Sequence, residues 1–195
     1  EWKTKVDTLN IVLDNNKSKF IFTTVGTVCK RKGQDLLIDA ITLMSNSQRD
    51  LFELNIIGSG ELLDELVLKC KQANIKNVNF LGVKNNIIDY LKVSDCFILV
   101  SRDEGLPIAI LEAMSIGLPI IGTNVGGVPD LVSHKENGFL LDTLDVESLK
   151  NVILDFIKLD ISNVSKMGLN SFIKFNSSFT QSKMIDLYKN VFLSL

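Results

Sequence analysis

The sequence is poor in histidine, cysteine, proline and tryptophan, with one His, three Cys, three Pro and one Trp in 195 residues. His134 is the sole imidazole, in the polar stretch Ser133-His134-Lys135, so it reads as a surface residue and no Ser-His-Asp triad is on offer. Cys29, Cys70 and Cys96 form no CxxC pair, and one histidine completes no zinc set with them. An odd, scattered cysteine count fits free thiols in a reducing cytosol, the expected location. Neither sign of charge dominates. The 21 Lys and Arg against 23 Asp and Glu leave a net charge of −2, so no bulk positive field draws nucleic acid or anionic lipid. No apolar run approaches the roughly 18 residues of a spanning helix. The richest region, Pro107 to Gly122, is interrupted by Glu112. No secretory leader is expected. The chain begins with Glu1 rather than Met, and is expected to be a piece of a longer protein.

The length suits one domain near the upper end for a single core, able to hide roughly 70% of its unfolded surface without disulfides or metal. Hydrophobic residues at 46% and charged residues at 23% exclude a disordered chain. A polar lead-in, residues 1–19, precedes the β-rich run Phe20 to Val25, which ends at Gly26. Similar runs recur at Leu54–Ile57, Val78–Leu81, Cys96–Val100, Pro119–Ile121 and Phe139–Leu141. Between them, Leu36, Leu37, Ala40, Ile41 and Met44 share one helical face, and Leu62, Leu63, Leu66, Val67 and Cys70 share another. Strands alternating with helices predict βαβ units, with right-handed crossovers placing helices on both faces of a parallel sheet. The expected fold is α/β, a Rossmann-like doubly wound sheet of about six strands. From Asp145 onward helices are expected alone, over 146–157, around 164–175 and around 179–193.

In open parallel sheets ligands bind beyond the carboxyl ends of the strands. Four loops there stand out. Gly26 to Gly33 contains the cation triplet Lys30-Arg31-Lys32 before a helix N-terminus, a combination that attracts phosphate. It lacks the Gly-Lys-Ser/Thr of a P-loop, and a solvated charged turn is the plainer alternative. Gly58-Ser59-Gly60 opens a helix after a strand; without the third glycine of a dinucleotide fingerprint, a simple tight turn is the better reading. In Ser101 to Glu112, Pro107 suits the first helical position and leaves the amides of Gly105 and Leu106 free to donate. Glu112 interrupts an apolar helix. It is either a carboxylate on the wet side or one held ready for a diol, whose two hydrogen bonds would each return about 1.5–3 kcal/mol. Thr123 to Asp130 carries Gly126-Gly127 and Pro129, a turn leading to a short helix.

Taken in order, Val25-Gly26 with Arg31-Lys32-Gly33, Ile57-Gly58-Ser59-Gly60, Phe80-Leu81-Gly82, Ser94-Asp95, Glu104-Gly105-Leu106-Pro107 running to Glu112-Ala113-Met114, Gly117-Leu118-Pro119, Gly126-Gly127-Val128-Pro129 and Asn137-Gly138 resemble the C-terminal, donor-binding half of GT-B glycosyltransferases of family 4. The resemblance runs from about Phe20 to Asp142. It implies transfer of a sugar from a nucleoside diphosphate sugar, first UDP-hexose, with retention at the anomeric carbon. Lys32 and Glu104 are the implied catalytic residues: Lys32 binds the donor diphosphate and Glu104 the hydroxyls of the transferred sugar. Gly105 and Leu106 offer amides to sugar and phosphate, Glu112 holds the ribose diol, and Val83 lies where the backbone meets the base. Gly26, Thr27, Arg31, Gly58, Pro107 and Ile108 complete the implied donor site. No metal or other cofactor is expected.

One departure from the family pattern is Thr27, where many members carry Arg; the second diphosphate cation must then come from Arg31 or Lys30. The resemblance also implies an N-terminal domain beyond this chain, which would bring a glycan or lipid-linked acceptor and decide any peripheral membrane association. Residues 20–178 would form the nucleotide-sugar domain and 179–195 a helix crossing back, with Trp2 and Phe192 exposed. The fragment is expected to bind nucleotide but transfer little alone. The rival reading is a non-catalytic nucleotide-sugar-binding module, supported by Thr27 only. An epimerase lacks acid-base residues that can be placed, a phosphorylase needs a pyridoxal-phosphate lysine and a longer chain, and an NAD domain needs the full glycine series.

Overall fold

Six apolar runs form the strands: β1 (Phe20–Val25), β2 (Phe52–Ile57), β3 (Val78–Gly82), β4 (Cys96–Leu99), β5 (Ile120–Thr123) and β6 (Gly138–Leu141). The structure, a computed structural model, describes residues 19–180 together with 182, 183, 185 and 189. The helices are α1 (Gln34–Thr42), α2 (Asn46–Arg49), α3 (Leu63–Gln72), α4 (Ile87–Lys92), α5 (Ile108–Ser115), α6 (Val128–Leu131), α7 (Val146–Ile157) and α8 (Ile161–Ser178). All strand pairs are parallel, in the order β3-β2-β1-β4-β5-β6. The chain winds outward from β1 to β3 and then returns to lay β4 beside β1. That reversal makes the crevice between β1 and β4 the topological switch point.

Side chains alternate across the sheet as the pleat requires. Cys96, Ile98 and Val100 join one core with α1, α3 and α7, while Phe97 and Leu99 join the other with α4, α5 and α6. Helix α8 reaches both, contributing Val164 and Met167 to the first core and Phe175 to the second. Phe156 anchors α7 by edge-to-face contacts with Phe20, Phe22 and Phe139 at 5.5–6.4 Å between ring centres, a geometry worth about 0.5–1.5 kcal/mol per pair beyond burial. Asp95 ties β4 to β1, donating its main-chain N–H to the Ile21 carbonyl at 2.8 Å and accepting the Ile21 N–H on its carboxylate at 2.6 Å.

Three local differences from expectation have simple causes. Helix α5 begins at Ile108 because Pro107 keeps an extended ψ of 102° and serves as the N-cap. Helix α2 was not anticipated from periodicity, since four residues carry none. Its Ser45–Gln48 capping box, with both reciprocal bonds formed, is the signal that marks it. Helix α4 is likewise too short for a periodic face. The lead-in 1–18, Trp2, Phe192 and most of the expected 179–193 helix lie outside the described residues.

Candidate functional site

The loops after β1, β2, β4 and β5 meet at the carboxyl ends of the strands, and they meet main chain to main chain. A Cβ on Gly58 would stand 1.9 Å from the Gly26 carbonyl oxygen, and one on Gly126 would stand 1.6 Å from that of Glu104. Gly126 also has φ +52°, so a side chain there is excluded twice. For Gly58 the close neighbour is therefore the Gly26 loop. The Val28 N–H donates to Ser59 at 3.0 Å and the Gly127 N–H to Gly105 at 2.8 Å, completing the two joints.

Across the switch point the first and third loops are joined by charge. The Lys32 ammonium donates to Glu104 Oε1 at 2.6 Å, with side chains 16% and 5% exposed. Ser101 Oγ donates to the same oxygen at 2.6 Å, and Thr123 Oγ1 donates to the Ser101 carbonyl at 2.6 Å. A buried carboxylate needs such partners, since an uncompensated one costs several kcal/mol. Lys32 spends one of its three N–H donors here and keeps two. Arg31 Nη1 lies 3.6 Å from Glu104 Oε2 and donates to the Asp103 carbonyl at 2.9 Å, while half its side chain stays exposed.

Lys30 is occupied differently. Its ammonium donates to Asp35 Oδ2 at 2.7 Å, and Arg102 grips the same carboxylate with Nη1 at 2.8 Å and Nη2 at 2.9 Å. Burial pushes the Asp35 carboxyl up, but hydrogen bonds and charge from Arg102 and Lys30 outweigh it and hold it below the ordinary aspartate value. Of the triplet, Arg31 and Lys32 thus face Glu104, and Lys30 does not.

Helix α5 points its N-terminus at the same crevice. Among the described residues, the amides of Gly105, Leu106, Ile108 and Ala109 donate to no carbonyl, as expected for the open end of a helix. Glu112 is half-buried on this helix, and its carboxylate makes no hydrogen bond or ion pair with any described residue. Val83, Leu106 and Ile108 expose 70%, 48% and 61% of their surface beside the strand ends, and Thr27 and Gly105 are also open; Gly26 and Gly58 are partly covered and Pro107 is buried. Asp35, Arg102, Ser101 and Gln34, whose Nε2 donates to the Thr27 carbonyl at 3.1 Å, were given no role from sequence. The detectable hint was Asp35, a carboxylate in the first turn of a helix behind three cations. His134 is exposed in its loop. Among the described residues no three of His, Cys, Asp and Glu converge to hold a metal ion, and no helix is long and apolar enough to cross a membrane.

Fold and site together define a Rossmann-like α/β domain with cations, carboxylates and unengaged amides gathered at its switch point. The chain belongs to the family described as Glycosyl transferases group 1, which matches residues 6–171. It is 31% identical over 194 residues to UDP-Gal:alpha-D-GlcNAc-diphosphoundecaprenol alpha-1,3-galactosyltransferase of Escherichia coli, covering 98% of this chain and 50% of that protein. The chain spans about half the length of the curated relatives it matches. Its structural neighbours are GT-B glycosyltransferases. Anabaena Alr3699/HepE in complex with UDP-glucose superposes with TM-score 0.80 at 24% identity, over 98% of this chain and 53% of that one. The C-terminal domain of the group 1 protein LpcC from Francisella tularensis superposes with TM-score 0.72 at 25% identity, over 83% and 87%.

Proposed function

We propose that this chain is the donor-binding half of a retaining glycosyltransferase of family 4, taking a hexose from a nucleoside diphosphate sugar, UDP-hexose first, to a glycan or lipid-linked acceptor. The observation that carries this reading is the buried Lys32–Glu104 pair at the switch point, just before the helix that carries Glu112, whose carboxylate has no partner among the described residues. Glu112 supplies two acceptor oxygens for a ribose diol. Lys32, with its two remaining donors, and Arg31 supply the cations for the diphosphate, so Arg31 replaces the arginine missing at Thr27. The open amides of 105–109 add a fixed positive field to the same group.

In the reaction the bond from the anomeric carbon to the diphosphate oxygen breaks, and a bond to the acceptor oxygen forms on the same face. The acceptor proton passes to the departing phosphate. The chain's share is electrostatic: Lys32, Arg31 and the amides stabilise charge developing on the leaving diphosphate, in a site already organised before donor arrives. Glu104 orients the sugar through its hydroxyls while holding Lys32 in place. The acceptor belongs to the half of the protein beyond this chain, so the chain alone binds nucleotide and transfers little. Proton NMR of the anomeric signals of donor and product, with the whole protein, tests the chemistry. An α-linked donor should give an α-linked product with release of nucleoside diphosphate; a β-linked product would overturn retention.

A further inference from the structure

The Asp35–Arg102 pair contacts neither Glu104 nor Glu112, yet its bonds all end on the turn that carries the cations. Besides its two-pronged grip on Asp35, Arg102 donates Nη1 to the Lys30 carbonyl and its own amide to the Arg31 carbonyl at 2.7 Å. Arg31 answers by donating to the Asp103 carbonyl at 2.9 Å. Asp35 in turn holds the Lys30 ammonium at 2.7 Å, away from Glu104. We infer that Asp35 and Arg102 are positioning residues that fix the Lys30–Lys32 turn against the loop after β4, so that Lys32 and Arg31 meet the donor diphosphate. This rests on the donor-site reading above.

The physical case is one of geometry. A buried ion pair adds little net stability against a well-packed apolar alternative. What a guanidinium supplies is a planar fork with fixed directions, which lysine does not reproduce. Here that fork joins the Asp35 carboxylate of α1 to the Lys30 carbonyl of the turn, across a separation of 67–72 residues, while the Arg102 main-chain N–H holds the next carbonyl, that of Arg31. The Asp35 side chain is 8% exposed, so solvent does not compete for it. Arg102 and Lys30 hold the Asp35 carboxyl below its ordinary value, which favours the charged form that the brace requires.

Charge and positioning predict opposite signs for one substitution. Asp35→Asn removes a negative charge near the diphosphate, and through-space electrostatics alone would tighten UDP binding. A positioning role predicts that UDP binding weakens by about tenfold, the scale of one charge-assisted hydrogen bond. Uridine, which lacks the diphosphate, should bind the variant within about twofold of the wild-type chain. A merely structural loss would lower both ligands together. Arg102→Lys keeps the charge and removes the fork; it should weaken UDP and spare uridine in the same way, and it decides the matter if Asp35→Asn does not fold. Calorimetric titration of the chain with UDP and with uridine reads both. UDP affinity unchanged or improved in the folded variants, or an equal loss for both ligands, overturns the positioning role alone. A wild-type chain that binds neither UDP nor any other nucleoside diphosphate overturns the donor-site reading and this inference with it.

Discussion

Arg49 and Lys32, at opposite ends of the sheet, are held in opposite ways. At the amino ends, Arg49 gives all three guanidinium nitrogens to main-chain carbonyls, those of Ile41, Thr42 and Ala73 at 2.8–3.2 Å. It braces the C-termini of α1 and α3, with every guanidinium nitrogen engaged by main chain. A cavity of about 250 Å³ beside it is lined by Lys19, Asp50, Asn77 and other polar residues. At the carboxyl ends the cations are directed by carboxylates instead, Lys32 by Glu104 and Lys30 by Asp35, and they retain donors. Helices aim their open amides at that end and their spent carbonyls at the other. The difference teaches that Arg49, held wholly by main-chain carbonyls, is a brace, while Lys32, held by one carboxylate and keeping two donors, can exchange with a bound anion.

The largest effect expected is at the joint between the loops. Gly126→Ala drives a Cβ into the Glu104 carbonyl, and should cost more than about 4 kcal/mol in urea unfolding, taking nucleotide affinity with it. Arg49→Ala should lose about 2 kcal/mol, the net worth of its partly exposed bonds, while nucleotide affinity in calorimetry stays as it was. If affinity fell with it, the division of labour between the two ends would be wrong. A smaller effect depends on pH. Because the folded pKa of Asp35 lies below its unfolded value, its contribution is present above about pH 4 and fades as pH falls through the depressed value. The stability gap between the wild-type chain and Asp35→Asn, about 1–3 kcal/mol at pH 7, should therefore close in acid. A gap that stayed constant would assign it to packing. Smallest of all is Asn77→Leu. Both amide atoms of Asn77 are buried without a partner among the described residues, so removing them should leave stability within about 1 kcal/mol or raise it, with no change in nucleotide binding.

The strands were legible in sequence because each is a short β-branched or aromatic run closed by a turn residue, as in Phe20–Val25 before Gly26. Helices α1, α3 and α7 were legible because ten or so residues show a periodic face. Helices α2 and α4 were not, being shorter than the period needs. Lys32, Glu104 and Glu112 are singled out by the order of the surrounding motifs rather than by their own spacing, and of them the structure pairs Lys32 with Glu104. The ion pairs that organise them were not: Arg102 and Asp35 stand 67 residues apart, and only the return of β4 to the side of β1 brings them together. Local pattern encodes elements, whereas long-range charge pairing depends on topology and has no mark in the neighbouring residues.

The central claim is a donor site between Lys32 and Glu112. Calorimetric titration of the chain with UDP, GDP and ADP, beside Lys32→Ala and Glu112→Ala, tests it most directly. Saturable binding of one nucleotide, weakened by about tenfold or more in each variant, is the predicted result. A folded chain that binds none of the three, or binds one equally well in both variants, would contradict it.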